Sequence, residues 1–124
     1  MKIWTFKIFV NQNNDVDNWL KGLPKKVLAR LDTILRYLAI TKDMTATPYF
    51  TPLTGYSGIC EIKFIVQNIQ YRPLGCYGPE KNEFTILIGA REEGDRFNPR
   101  NAPKIALIRR KEVLEGRGCT IEYY

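Results

Sequence analysis

The chain contains no histidine. That absence removes His-based catalytic triads, most transition-metal sites and the commonest general base. Cysteine is scarce: Cys60, Cys76 and Cys119 are an odd number with no Cys-x-x-Cys spacing. They read as reduced thiols rather than a disulfide framework or a zinc site. No apolar run approaches the ~20 residues of a membrane span. The opening stretch, Met1 to Val10, places Lys7 within its apolar residues and lacks a small-residue cleavage site, so a secretory signal is not expected and a cytoplasmic location is. Internal repeats, linkers and low-complexity segments are also missing. The 124 residues are expected to form one domain, spanning 1–124, because two halves would each fall near the size at which a core becomes marginal.

What is present is ordinary globular material. Hydrophobic residues make up 44% of the chain and charged residues 26%, enough apolar surface to offset the entropy of ordering and to exclude disorder as the main state. Nineteen Lys and Arg against thirteen Asp and Glu give a net charge of +6. Such an excess suits a phosphate-rich partner or an acidic protein, and equally a soluble basic surface. Any catalysis must use Lys, Arg, Glu, Asp, Tyr or Cys.

Apolar residues from Ile3 to Val10 are interrupted by Thr5 and Lys7, the pattern of a strand buried on at least one face. Asp15 to Lys21 suits a short helix ended by Gly22, and Pro24 suits the first turn of a longer one. Leu23, Val27, Leu31, Ile34, Leu35 and Leu38 then recur at three- and four-residue steps, one apolar stripe, with Lys25, Lys26, Arg30 and Arg36 off it. Ala39 to Ser57 reads as a loop. Three strand-like runs follow, Ile59 to Val66, Ile69 to Tyr77 and Glu83 to Ala90. Gln67-Asn68 and Gly78 to Asn82 are short enough to join them as an antiparallel meander. Pro73 cannot donate to a ladder and marks an edge or a bulge. Arg91 to Arg100 reads as a polar connection. A last helix starts near Asn101-Ala102-Pro103, with an apolar face of Ile105, Ala106, Ile108 or Leu107, Val113 and Leu114, and ends at Gly116. The tail from Cys119 to Tyr124 is strand-like. The order β-α-α-β-β-β-α predicts an α+β fold, a mainly antiparallel sheet packed on helices.

The meander carries the residues with chemical potential. Alternation puts Glu61 and Lys63 on one face, opposite Ile62 and Phe64, and an antiparallel arrangement can bring Arg72 and Arg91 to the same side. The result is either a polar patch on a rigid platform or a solvated sheet face with cross-strand ion pairs. Tyr71 and Tyr77 suit either stacking on a base or sheet packing, with packing the simpler account. Lys25, Lys26, Arg30 and Arg36 could meet RNA phosphates or simply face solvent. Arg109-Arg110-Lys111 could contact a phosphate-rich or acidic partner, or form the outer side of the last helix. Cys60 and Cys76 fall where apolar strand residues belong and read as buried small hydrophobes. Trp4 and Trp19 read as core.

Three segments together, Gly58-Ile59-Cys60-Glu61-Ile62-Lys63, Tyr71-Arg72-Pro73-Leu74 and Leu87-Ile88-Gly89-Ala90-Arg91, resemble the RelE/HigB superfamily of type II toxin–antitoxin toxins. The likeness is greatest to its phage-derived HigB-like branch, and Phe97, Asn98, Pro99 and Ala106 fit the same frame. The order of elements matches over nearly the whole chain, whereas each motif alone is short. The resemblance implies a RelE-like domain acting as a ribosome-dependent mRNA endoribonuclease, held inactive by a helix-turn-helix antitoxin. Carried over, Lys63 matches a basic position on the first meander strand, Arg72 the arginine of the Tyr-Arg pair, and Arg91 the arginine after the last strand. This sequence departs from the pattern at Glu61, where well-known members have a second lysine, at Phe97, where RelE has a catalytic tyrosine, and in lacking histidine.

The chemistry can be argued without the family. Cleavage by the adjacent 2′-hydroxyl requires removal of its proton, stabilisation of the phosphorane charge and protonation of the 5′-oxygen, and it needs no metal or other cofactor. Arg72 and Arg91 suit the electrostatic task, because a guanidinium is always charged and its planar fork matches phosphate oxygens. The base is Glu61, or Lys63 if neighbouring charge lowers its pKa. Tyr123 or Tyr124 could donate the last proton. Among the basic and aromatic residues, Lys25, Lys26, Arg30 and Tyr71 are the candidates for holding RNA. The rival expectation is a catalytically inactive protein of the same fold that only binds an antitoxin or RNA.

Overall fold

The computed structural model describes all 124 residues and is an α+β domain. In chain order the elements are β1 (Thr5–Val10), α1 (Asp15–Lys21), α2 (Lys25–Ala39), β2 (Phe50–Pro52), β3 (Cys60–Ile62), β4 (Phe64–Val66) and β5 (Ile69–Tyr71). They continue with β6 (Leu74–Tyr77), β7 (Glu83–Ile88), β8 (Arg91–Glu93), β9 (Arg96–Asn98), α3 (Ala102–Leu114) and β10 (Cys119–Glu122). One sheet runs β10-β1-β7-β6-β3-β2 and a second β4-β5-β8-β9. Only β1 and β7 pair parallel; the remaining ladders are antiparallel.

The three meander runs form where the alternation predicts them, but each is broken in the middle and is shared between the two sheets, the first and third passing from the first sheet into the second and the middle one from the second into the first. The breaks fall at Lys63, at Arg72-Pro73 and at Gly89-Ala90. Proline has no N–H for the ladder, so the second run leaves the sheet there and re-enters with a register shift between Leu74 and Gly75. Of the two outcomes proline allowed, this is the bulge, since β6 is paired on both sides. At the third break a Cβ on Gly89 would overlap the indole of Trp19, so only glycine lets α1 approach the strand this closely. Gln67 and Asn68 both adopt positive φ, the signature of a tight two-residue hairpin turn.

Two expectations are corrected. Arg91 to Arg100 is not a plain connection: β8 and β9 form a hairpin around Gly94-Asp95, with Glu92 opposite Phe97. Part of the segment read as a loop, Phe50–Pro52, pairs with β3. The strand-like tail does form β10 on β1, placing it at the edge of the first sheet.

Helix α2 buries Val27, Leu31, Ile34, Leu35 and Leu38, the predicted stripe. Rings of Phe6, Phe50, Tyr77 and Phe84 form one interlocked cluster on the first sheet, with centroids 5.0–6.1 Å apart. Trp4 packs on Tyr77 and donates Nε1 to the Thr41 carbonyl just past α2. Helix α3 departs from its predicted face. It buries Ala102, Pro103, Ala106 and Val113 but exposes Ile108 and Leu114. Arg109 turns inward instead, donating Nη1 to the Leu87 carbonyl and Nη2 to Asp15 (both 2.8 Å) above the Phe9 ring. A Cβ on Gly58 would meet the Arg110 guanidinium, so Arg110 packs on the turn that leads into β3. Arg109-Arg110 is thus a packing and tethering element between α3, α1 and the sheet, leaving Lys111 exposed.

Candidate functional site

The second sheet is where the meander residues meet. Register sets Phe64, Tyr71, Arg91 and Asn98 in line across β4, β5, β8 and β9. Alternation then puts Arg72, Glu92 and Phe97 on the opposite side. Arg72 donates Nε to Glu61 Oε2 at 2.7 Å and Nη1 to Glu92 Oε1 at 3.3 Å. Its Cζ lies 4.0 Å from the centre of the Phe97 ring. The Phe97 ring therefore supports the guanidinium from one side. Nη2 makes no protein hydrogen bond, and Glu92 is the longer and more exposed of the two carboxylate partners. Glu61 is buried on β3, so its carboxylate depends on Arg72 for charge compensation.

Arg91 does not join this cluster. It shares a shallow cleft with Trp19, Leu23 and Tyr71 at the α1–α2 junction, and its guanidinium lies 3.6 Å from Glu93. The physical reason is the period of two: Arg72 and Arg91 sit on directly paired strands, but Tyr71, not Arg72, stands opposite Arg91. Tyr71 itself is buried and stacked on Phe64 at 5.4 Å and 19°, so its ring is used in packing. Tyr124 also stands apart. It follows β10, four strands from β3 and so roughly 19 Å away at the usual strand spacing. Lys2 Nζ and Arg36 Cζ cover its ring at 4.3 and 5.5 Å. The neighbouring Tyr123 donates its hydroxyl to Asp32 at 3.1 Å, and burial, with the Asp32 charge beside it, pushes its pKa up to about 12. The C-terminal tyrosines hold the tail to α2.

Lys63 occupies the first break and lines a groove with Arg30 and Tyr49. Its backbone N–H donates to the Tyr49 carbonyl at 2.9 Å, which ties the break to the segment leading into β2. Arg30 Nη2 donates to the Tyr49 hydroxyl at 3.3 Å. Lys25 and Lys26 are exposed on the first turn of α2, with Lys26 on the same side as Arg30 four residues later. Cys60 and Cys76 are buried, as their strand positions predict, and desolvation pushes both thiols up to about 11. They are inert at neutral pH.

Sequence reasoning placed Glu61, Lys63, Arg72 and Arg91 on one side of the sheet, whereas only Glu61 and Arg72 meet there: Lys63 lines the groove with Arg30 and Tyr49, and Arg91 faces the α1–α2 junction. It missed Glu92, Phe97 and Tyr49 as their neighbours. The Gly-Asp pair at 94–95 between Glu92 and Phe97 was the available hairpin signal for the first two; nothing local marks Tyr49. No group of His, Cys, Asp and Glu side chains is arranged to hold a metal ion, and no helix is long and apolar enough to cross a membrane. Comparison with protein-family models, with curated proteins and with solved structures gives no match.

Proposed function

We propose that this chain is the toxin of a type II toxin–antitoxin pair, a domain of RelE-like topology that cuts ribosome-bound mRNA by 2′-hydroxyl attack. The observation that carries the proposal is the Glu61–Arg72 pair, a proton acceptor 2.7 Å from a guanidinium whose outer nitrogen is free. In the reaction Glu61 takes the 2′-hydroxyl proton, the 2′-oxygen bonds to phosphorus, and the bond from phosphorus to the 5′-oxygen breaks. Arg72 stabilises the phosphorane with the Nη edge from which Glu92 withdraws. The 5′-oxygen takes its proton from outside this cluster, since Tyr123 and Tyr124 hold the opposite edge of the sheet. An isolated site with so few groups depends on the ribosome to align the RNA, which is where the cytoplasmic partners of this reading enter. A helix-turn-helix antitoxin would be the natural inhibitor.

One observation favours a second reading, a binding protein of the same fold without catalysis. Two carboxylates surround the single guanidinium, and Glu61 is buried, so the resting cluster carries no positive excess for a phosphate. Primer extension on a reporter mRNA after brief induction separates the two. Cuts within translated codons that vanish in Arg72→Ala support the nuclease; growth and transcripts left intact by the wild-type chain support the binding protein.

A further inference from the structure

Between α2 and the entry to β2 the surface opens into two adjoining grooves of about 420 and 370 Å3, and Arg30 and Tyr49 line both. The first adds Tyr37; the second adds Lys63, Ile65 and Gln70. No carboxylate lines either groove. The charge here is also uncompensated: Arg30 and Lys63, like most of the chain's nineteen Lys and Arg, have no carboxylate partner. Tyr37 meets Tyr49 edge to face, with centroids 6.0 Å apart at 89°, so their ring faces point in different directions. Tyr37 is 46% exposed.

Cations without carboxylate partners beside one exposed ring, that of Tyr37, with the half-buried Tyr49 ring under the Arg30 guanidinium, in a cleft of small-ligand size, fit a flexible polyanion that carries planar groups. The geometry points to a single-stranded RNA groove, distinct from the Arg72 cluster, in which Arg30 and Lys63 hold phosphates and the exposed Tyr37 ring, braced edge to face by Tyr49, offers a face to a base. Choosing RNA as the ligand rests on the proposed function, but the groove makes its own prediction about binding. A duplex is a poor occupant, because its bases are already stacked and present no face to Tyr37. An acidic protein segment would use the cations but not the ring faces.

The test is fluorescence anisotropy of a labelled eight-nucleotide single-stranded RNA with the purified full chain, read over a range of salt. With a slope contribution of about 0.7 per phosphate, Arg30→Ala/Lys63→Ala should flatten the log–log salt dependence by about 1.4. Arg30→Lys, with Lys63 intact, should keep the slope. Tyr37→Leu should weaken binding about tenfold and leave the slope unchanged. Thermal melting of each variant confirms that it is folded. Affinity and slope unmoved in the folded double variant overturn the groove. So does a polyglutamate peptide whose binding responds to all three substitutions while RNA binding does not. Binding that responds as expected in a chain that never cuts mRNA retains the groove and removes the nuclease; cutting that needs Arg72, with RNA binding indifferent to Arg30, Lys63 and Tyr37, does the reverse.

Discussion

Glu61 and Arg72 are hydrogen-bonded at 2.7 Å between β3 and the break after β5, with the Phe97 ring 4.0 Å from the guanidinium carbon. Each holds the other in place: Glu61 is buried and has no other cation, and Arg72 is oriented by the carboxylate on one side and the ring beneath. The pair therefore has structural weight as well as chemical potential.

Arg72→Ala should cost about 3 kcal/mol of stability, because it leaves Glu61 buried and uncompensated. Glu61→Gln, which keeps an acceptor and the shape, should cost about 1 kcal/mol. Urea denaturation of the two variants gives the ratio. Equal losses would show that charge compensation is unimportant at this position.

Arg72 and Arg91 should separate functionally. Arg91 faces the α1–α2 junction and pairs with Glu93, so Arg91→Ala should leave mRNA cutting within twofold of wild type while Arg72→Ala abolishes it. Primer extension on the same reporter reads both. Loss of cutting in Arg91→Ala would mean that the two faces of the second sheet act together.

Gly89→Ala should destabilise the fold by about 1–3 kcal/mol through overpacking, since the new methyl group overlaps the Trp19 indole. Trp19 fluorescence should shift as the ring is displaced from the strand. Gly55, whose Cβ position is open, is the comparison site at which only backbone strain applies.

The buried thiols and two partly desolvated phenols predict the alkaline limit. Cys60 and Cys76 rise from 9.0 to about 11, and Tyr77 and Tyr123 from 10.0 to about 12, all with burial as the largest cause. For each group the folded pKa lies above the unfolded one, so the unfolded chain ionises first. Their contribution to stability is complete below pH 9 and is lost as pH rises through the window from 9 to about 12. Replacing Cys60 and Cys76 together with alanine should flatten the lower part of that fall in a series of urea melts. At neutral pH a thiol reagent should titrate Cys119 alone in the native chain and all three cysteines in denaturant.

Tyr124→Phe should leave any cutting unchanged, because the hydroxyl is far from Arg72 and only the ring is covered by Lys2 and Arg36. Tyr123→Phe should instead cost about 1 kcal/mol by removing the hydrogen bond to Asp32. Thermal melts and the reporter assay on the same pair of variants distinguish anchoring from chemistry.

Local pattern alone determined a good part of this protein. The stripe from Val27 to Leu38 specified α2 and its buried face, and alternation with short polar turns specified three antiparallel runs. The absence of histidine limited the chemistry, and strand parity buried Cys60 and Cys76. These are properties of near neighbours in the chain, governed by side-chain period and turn geometry. What only the tertiary structure decided depends on residues far apart in sequence. Pro73 announced an irregularity, but that all three runs break together, and so create a second sheet, required the Trp19 indole against Gly89 and the pairing of β5 with β8. Register on that second sheet, set by Tyr71 opposite Arg91, sent two arginines to opposite faces. Helix α3 shows the same limit from the other side: its apolar residues are spread around the axis, so no stripe could reveal that Arg109 turns inward to Asp15 and Leu87. A one-residue step in register exchanges the faces of a strand, and no local sequence signal fixes that step across a break.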